Sequence, residues 1–401
     1  MYRGRTNKGP GNRPPIRGGG SHPHNRQQHG RAPKGQNIAT HRFINKAVIT
    51  EDAPHFVPEH SFTDFAVDER LKKNIAVKGY TVPTPIQDRV IPHILRGSDI
   101  VGVANTGTGK TAAFLIPLIN KVLANRKERV LIVVPTRELA VQIDAEFKEF
   151  SRGLDLFSVS CIGGANMGRQ MRALTAPHNF VIGTPGRLKD LIQQKRLTLA
   201  NMTTVVLDEA DRMLDMGFIK EVEYMLALIK GPRHTLFFSA TISPAIDTLI
   251  KKFLKEPVRI SVKTAETAEG VEQDVVRVKG GNKIDILHNL LAQADFSKVL
   301  VFGRTKHGVE RLAKTLVARG FKAESIHGNK NQGRRQRALT LFKNNEVQIL
   351  VATDVAARGL DIDDVSHVIN FDIPMTYDDY VHRIGRTGRA GKKGKALTFI
   401  E

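Results

Sequence analysis

Cysteine is nearly missing from this 401-residue chain, where Cys161 stands alone. One thiol excludes an intramolecular disulfide framework and any metal site built on several cysteines. Long apolar runs are missing too, with none near the ~20 residues that cross a bilayer as a helix. The N-terminus is charged from Arg3 onward and has no apolar stretch of the kind a secretory leader carries. Acidic residues are absent where basic ones collect. Residues 1–50 hold ten lysines and arginines and no aspartate or glutamate, in a chain whose formal net charge is +21. A basic tail on a basic body points to a polyanionic partner, nucleic acid ahead of anionic membrane. The expectation is an intracellular protein with no membrane attachment.

What is present suits two packed domains. At 41% hydrophobic residues the chain can bury substantial cores. Residues 1–58 are rich in Gly, Pro, Arg and His and read as a disordered basic tail. Segments such as Arg17-Gly18-Gly19-Gly20 in this tail suit sequence-tolerant contact with RNA phosphates. From Phe62 onward, short apolar runs alternate with longer helical patterns. Five fall at Asp99–Val103, Val130–Val134, Phe180–Ile182, Thr204–Leu207 and Thr235–Phe238. Five more fall at Val299–Phe302, Ala323–Ile326, Gln348–Val351, His367–Phe371 and Ala396–Phe399. Strands spaced by helices predict an α/β architecture of parallel sheets with helices on both faces. Residues 262–272 are polar and read as a linker between domains at 59–261 and 273–401.

The chemistry sits where the predicted strands end. After Val103 comes Ala104-Asn105-Thr106-Gly107-Thr108-Gly109-Lys110-Thr111, then a helical pattern. Strand, glycine-rich turn, Gly-Lys-Thr and helix form a phosphate cradle. Backbone N–H groups wrap a polyphosphate, the lysine meets its outer oxygens and the threonine hydroxyl can ligate Mg²⁺. The residue five before Gly109, usually glycine in such loops, is Ala104, and a plain glycine-rich turn into a buried helix stays open at this point. Asp208 and Glu209 close the apolar run Val205-Val206-Leu207. Adjacent acids there can divide the holding of Mg²⁺ from the orienting of water, or can simply form an acidic loop. His382-Arg383-Ile384-Gly385-Arg386-Thr387-Gly388-Arg389 offers arginine forks to phosphate charge, or a generic basic patch.

Taken together, the motifs resemble those of a DEAD-box RNA helicase, a superfamily-two ATPase of two tandem RecA-like domains, over residues 62–391. Asp208-Glu209-Ala210-Asp211 is the tetrad that names the family, and Gly79-Tyr80-Thr81-Val82-Pro83-Thr84-Pro85-Ile86-Gln87 matches its Q motif, with Phe62 upstream. The family has alanine at the Ala104 position. The likeness is greatest to bacterial members with a basic Arg/Gly-rich tail, which implies a cytoplasmic protein, expected as a monomer.

The resemblance implies that Gln87 hydrogen-bonds adenine, Tyr80 stacks on it and Thr106, Gly107, Thr108, Gly109, Lys110 and Thr111 grip the phosphates. Asp208 and Thr111 would hold Mg²⁺, Glu209 would be the general base, Asp361 would face the ribose, and Arg386 and Arg389 would be arginine fingers. Ser239, Ala240 and Thr241 would couple hydrolysis to strand separation. RNA would be met by Arg137, Gly163, Gly164, Thr184, Gly186 and Arg187 in the first domain. Arg304, Thr305, Gln332, Arg335, Thr353 and Asp354 would meet it in the second. Such groups bind phosphate and ribose without reading bases.

The function implied is RNA-stimulated ATP hydrolysis coupled to domain closure, local duplex unwinding and ribonucleoprotein remodelling. Protein partners in RNP or ribosome assembly or RNA decay are part of that expectation. An ATP-gated RNA clamp, a DNA helicase and a non-enzymatic RNA-binding protein are the competing readings. Family members continue into a further helix beyond the position of Glu401.

Overall fold

The computed structural model describes residues 38–45, 56–105, 107–262, 270–357, 362, 364–388 and 394–400. Among these residues the strands form two sheets. The first is seven-stranded, in the order β3-β4-β2-β5-β6-β1-β7. Its members are β1 (Ile100–Val103), β2 (Val130–Val133), β3 (Ser158–Cys161), β4 (Phe180–Gly183), β5 (Thr204–Leu207), β6 (His234–Ser239) and β7 (Val258–Ser261). The second is six-stranded, in the order β10-β11-β9-β12-β13-β8. It holds β8 (Val271–Arg277), β9 (Val299–Phe302), β10 (Ala323–Ile326), β11 (Ile349–Ala352), β12 (His367–Asn370) and β13 (Gly394–Ile400).

Every pairing within both sheets is parallel. Parallel sheets must be covered on both faces, which is why the central strands are runs of Val, Ile and Leu. The cover is present. One core joins the helices Pro85–Leu95, Lys110–Ala124 and Arg137–Phe150 to one face of the first sheet. Another joins Pro185–Gln193, Ile219–Leu228 and Pro244–Phe253 to the opposite face. The second sheet has its own pair of cores. No helix among the described residues is long and apolar enough to cross a membrane.

All ten predicted strands are present, and three more were not anticipated: β3, β7 and β8. β3 and β8 lie at sheet edges, as does β7. Their half-exposed patterns lack the continuous apolar run of a central strand. β8 also corrects the linker: Val271 and Glu272 are already strand, while residues 263–269 lie outside the described ones.

The basic tail needs a larger correction. Thr40–Phe43 forms a 3₁₀ turn, Phe43 is buried, and Asn45 makes an antiparallel bridge to Gln273 of β8. Residues 38–45 therefore belong with the second sheet; of the rest of the expected tail, 1–37 and 46–55 fall outside the described residues, and only 56–58 are described. The sequence hid this because one aromatic in a polar stretch has no periodicity.

Packing is tight at the edge that carries the motifs. A Cβ added at Gly183 would meet the Cys161 carbonyl at 2.6 Å and Leu188 at 2.9 Å. Gly183→Ala is therefore expected to destabilise the first sheet by about 1–3 kcal/mol. A urea midpoint that does not fall relative to the parent chain would contradict this.

Candidate functional site

Strand register places the motifs side by side. Cys161 pairs with Gly183, Gly183 with Val133, Val133 with Leu207, Leu207 with Phe237, and Ser239 with Val103. The residues that follow these strands therefore emerge along one edge, the carboxyl edge where open α/β sheets take ligands.

The phosphate loop leaves β1 and enters the helix Lys110–Ala124. Gly107 and Gly109 adopt φ of 84° and 90°, values open to glycine at little cost. Lys110 is buried, and its Nζ donates to the carbonyls of Ala104 (2.7 Å) and Asn105 (3.2 Å). Thr108 Oγ1 donates to Asn105 O at 2.8 Å. The Q-motif segment is tied directly to this loop. Gln87 Nε2 donates to Gly109 O at 3.1 Å, its Oε1 accepts from Thr84 N at 2.9 Å, and Thr84 Oγ1 donates to Thr108 O at 2.8 Å. The Gln87 amide is thus engaged at both ends with backbone. Tyr80 packs edge-on between Phe62 and Phe150, with ring centroids 5.6 Å away in each case. Phe62 is 5% exposed and supports Tyr80 from beneath.

Tyr80, Gly107, Gly109, Lys110, Thr111, Asp208 and Glu209 line one cavity of about 180 Å³, together with Gln142 and Glu146. Burial pushes the Asp208 carboxyl up to about 7, against the pull of the Lys110 ammonium. A buried carboxylate and a hydroxyl at a shared cavity form a hard-oxygen donor set, which fits Mg²⁺ held partly by substrate phosphates and water.

Glu209 sits in the left-handed region at φ 54°, ψ 50°, a strained conformation for a non-glycine residue. Its Oε2 accepts from Arg212 Nη1 at 2.8 Å, and both side chains are buried. The fourth residue of the tetrad has a role that the sequence did not assign. Asp211 Oδ2 accepts from Ala240 N, Thr241 N and Thr241 Oγ1 at 3.0, 3.0 and 3.2 Å. Asp211 N donates to Ser239 Oγ at 3.3 Å, and Ser239 Oγ donates to Thr241 O at 2.7 Å. The acid tetrad and the Ser-Ala-Thr turn are one hydrogen-bonded unit. The signal was the acidic residue one position beyond Ala210.

Three of the expected RNA-facing residues form a cationic cluster. Arg137 lies over Gly163 and Gly164, where an added Cβ would come within 3.1 and 2.2 Å of its guanidinium. Burial, joined by the charges of Arg335 and Arg187, lowers the Arg137 pKa. Arg187 Nη1 reaches the Ala165 carbonyl at 3.4 Å, and its buried Nε makes no hydrogen bond but lies 4.0 Å from Asp190 Oδ2. Thr184 and Gly186 bracket the start of the helix Pro185–Gln193 beside it.

In the half built on the second sheet, Arg335 of the helix Gln332–Lys343 donates through Nη2 to Glu138 Oε2 at 2.6 Å, with both side chains at most 7% exposed. This buried pair joins the two sheets' halves of the molecule, and Glu138 was not among the expected site residues. Gln332 is buried beside it on the same helix, its amide atoms without partners. Asp354 is held by Arg383 in a fork, Nε to Oδ1 at 2.6 Å and Nη2 to Oδ2 at 2.8 Å. Arg304 N donates to Asp372 Oδ2 at 2.7 Å, and Thr305 caps the helix Lys306–Ala318. Thr353 is half-buried just after β11. Arg386 is buried two residues beyond the helix Tyr377–Ile384. Thr106, Asp361 and Arg389 lie outside the described residues.

Comparison with known proteins agrees in kind. Residues 84–249 match the family model described as DEAD/DEAH box helicase, and residues 282–391 match helicase conserved C-terminal domain. The chain is 45% identical to the ATP-dependent RNA helicase CshA of Listeria monocytogenes, over 85% of this chain and 66% of that protein. It is likewise 45% identical to the DEAD-box ATP-dependent RNA helicase CshA of Bacillus subtilis, over 85% of this chain and 69% of that one. The chain thus spans about two thirds of the length of the curated relatives it matches. Among solved structures it is similar to Saccharomyces cerevisiae Dbp5 bound to RNA and ADP BeF3. That similarity has a TM-score of 0.76 and 28% identity, covering 85% of this chain and 89% of that one.

Proposed function

Because the chain belongs to the DEAD/DEAH box helicase family, we propose that it is an ATP-dependent RNA helicase. In this reading RNA stimulates its ATPase, and the cycle opens short duplexes and remodels ribonucleoprotein. One observation carries the proposal: Tyr80, Lys110, Thr111, Asp208 and Glu209 line a single cavity at the sheet edge, and Asp211 of the same tetrad is bonded to the Ser-Ala-Thr turn.

Tyr80 offers a ring face to adenine, Gln87 reads its edge and Lys110 meets the outer phosphates. Mg²⁺, held by Asp208 and Thr111, would neutralise charge on those phosphates. Glu209 accepts the proton of the attacking water, and Arg212 fixes the orientation of its carboxylate. Asp211 ties the position of the tetrad to Ala240 and Thr241. Arg386 and Arg389 complete the site from the second domain, so turnover depends on the two domains closing. RNA lies along Arg137, Gly163, Gly164 and Arg187, with Arg304 and Thr305 across from them, and is held by its backbone. The domain assignment proposed is 59–261 for the first and 38–45 with 271–401 for the second. Protein partners in RNP assembly or RNA decay belong to the same proposal.

Phosphate release with and without RNA is the deciding experiment. RNA is expected to raise turnover well above basal, with an RNA requirement that climbs steeply with salt, as backbone binding by cations demands. An ATPase indifferent to RNA would sink the reading. Stable RNA retention with an ATP analogue and no strand release would favour an ATP-gated clamp, and equal action on DNA duplexes a DNA helicase. To test the tail, the cut belongs after residue 37, because a cut at residue 50 also removes the segment that packs on β8.

A further inference from the structure

Residues 38–45 precede the first domain in the chain yet pack on the second, and what they touch is specific. Phe43 is 1% exposed and meets the ring of Tyr380 edge-on, with centroids 4.9 Å apart at 68°. Arg42 lies over the ring of Tyr377 at 3.7 Å. Asn45 exchanges both backbone hydrogen bonds with Gln273, at 3.0 and 2.8 Å, and so adds an antiparallel bridge beside the edge strand β8. Gln273 in turn accepts from Tyr380 Oη at 2.8 Å through its side chain. Both aromatic anchors, Tyr377 and Tyr380, are on the helix Tyr377–Ile384.

That helix leads directly to the arginine segment. Its Arg383 is held by Asp354, the Asn370 side chain at 3.1 Å and the Asp372 carbonyl at 2.6 Å. Arg386 N donates to Arg383 O at 3.1 Å just past the helix end. Beyond it, Gly388 is pressed against β8: an added Cβ would meet Val271 at 2.8 Å and Gly270 O at 3.1 Å. The helix and the arginine loop are therefore seated on β8 at both ends, and the strap closes over this seat from outside.

We propose that Ile38–Asn45 is a strap of the second domain, and that Phe43 is a positioning residue which, through Tyr380, holds Arg386 where hydrolysis needs it. The inference rests on the ATPase reading above. Phe43 touches neither nucleotide nor RNA in it. Its effect is mechanical: an aromatic wedge fills the space between strap, β8 and helix, and a helix loosened there shifts the guanidinium at its far end. Misplacement of a catalytic group by about 1 Å can cost roughly 10²-fold in rate.

The test is steady-state ATP hydrolysis at saturating RNA, on the full chain, at a temperature where every variant is folded by circular dichroism. Phe43→Ala is expected to lower kcat roughly tenfold or more with KM for ATP changed less than about twofold, and Phe43→Leu to restore most of the loss. In an Arg386→Ala background, Phe43→Ala is expected to cost nothing further, because its path runs through that arginine. An unchanged kcat for Phe43→Ala would overturn the proposal. So would the same proportional loss with Arg386 already removed, which marks a purely structural contribution. Hydrogen exchange reads the strap independently of catalysis. The Asn45 and Gln273 amides are expected to be protected in the parent chain and to lose protection in Phe43→Ala, whereas fast exchange in the parent would refute the docking. No ATP turnover in the parent chain would instead be a failure of the ATPase reading, with amide protection still deciding whether the strap docks.

Discussion

Glu209→Gln is expected to lower ATP turnover by roughly 10²–10⁴-fold, the range a positioned general base contributes, while ATP and RNA still bind. The substitution keeps shape and removes only the proton-accepting charge. Glu209 is 4% exposed and held in the left-handed region, with Arg212 at 2.8 Å on one carboxylate oxygen. An amide oxygen can still accept from that guanidinium, so the loop that bears Asp208 and Asp211 should keep its place. Phosphate release at saturating ATP and RNA measures the loss, and labelled-ATP binding shows whether the cavity survives. Wild-type turnover in this variant would remove Glu209 as the base. Lost ATP binding would show that its role is to hold the loop.

The second large effect is expected at the ion pair between the two halves of the molecule. Arg335→Leu leaves Glu138 buried without its cation, and breaking a buried pair from one side costs about 3–5 kcal/mol. The chain can avoid that cost by parting its domains and letting water reach Glu138. The penalty should therefore fall on the closed state more than on folding. RNA affinity in the presence of a non-hydrolysable ATP analogue is expected to drop by two to three orders of magnitude, with little change in the urea midpoint.

Arg335 also lies close enough to Arg137 for its charge to be felt there, so some loss could come from weaker attraction for RNA. Adding Glu138→Gln separates the two causes. It removes the stranded charge without returning the cation, so recovery in the double variant assigns the effect to closure. No recovery assigns it to phosphate contact.

How far the sequence reached follows from the distance over which each feature is encoded. Nine of the ten legible strands lie inside the sheets, where burial on both faces demands uninterrupted apolar runs, and the tenth, β10, lies at an edge. The edge strands β3, β7 and β8 were not legible, since half their side chains face water and Ser, Arg, Glu or Gln sit among the apolar residues. The phosphate loop was legible for a similar reason: eight consecutive residues contain the glycines, the lysine and the threonine that the chemistry needs.

Partners distant in sequence were not legible. The acidic side chain of Asp211 marks it as an acceptor, yet nothing near it says that its three hydrogen bonds come from Ala240 and Thr241. Nor does anything near Glu138 say that it faces Arg335, or near Phe43 that it meets Tyr380. The sequence by itself determined what could be bound, because cradle, acids and arginines are local patterns with local chemistry. Only the tertiary structure decided which of those groups are tied to one another. Strand register and helix packing bring residues from separate segments within hydrogen-bond reach, and a buried polar group must take the partner it finds there.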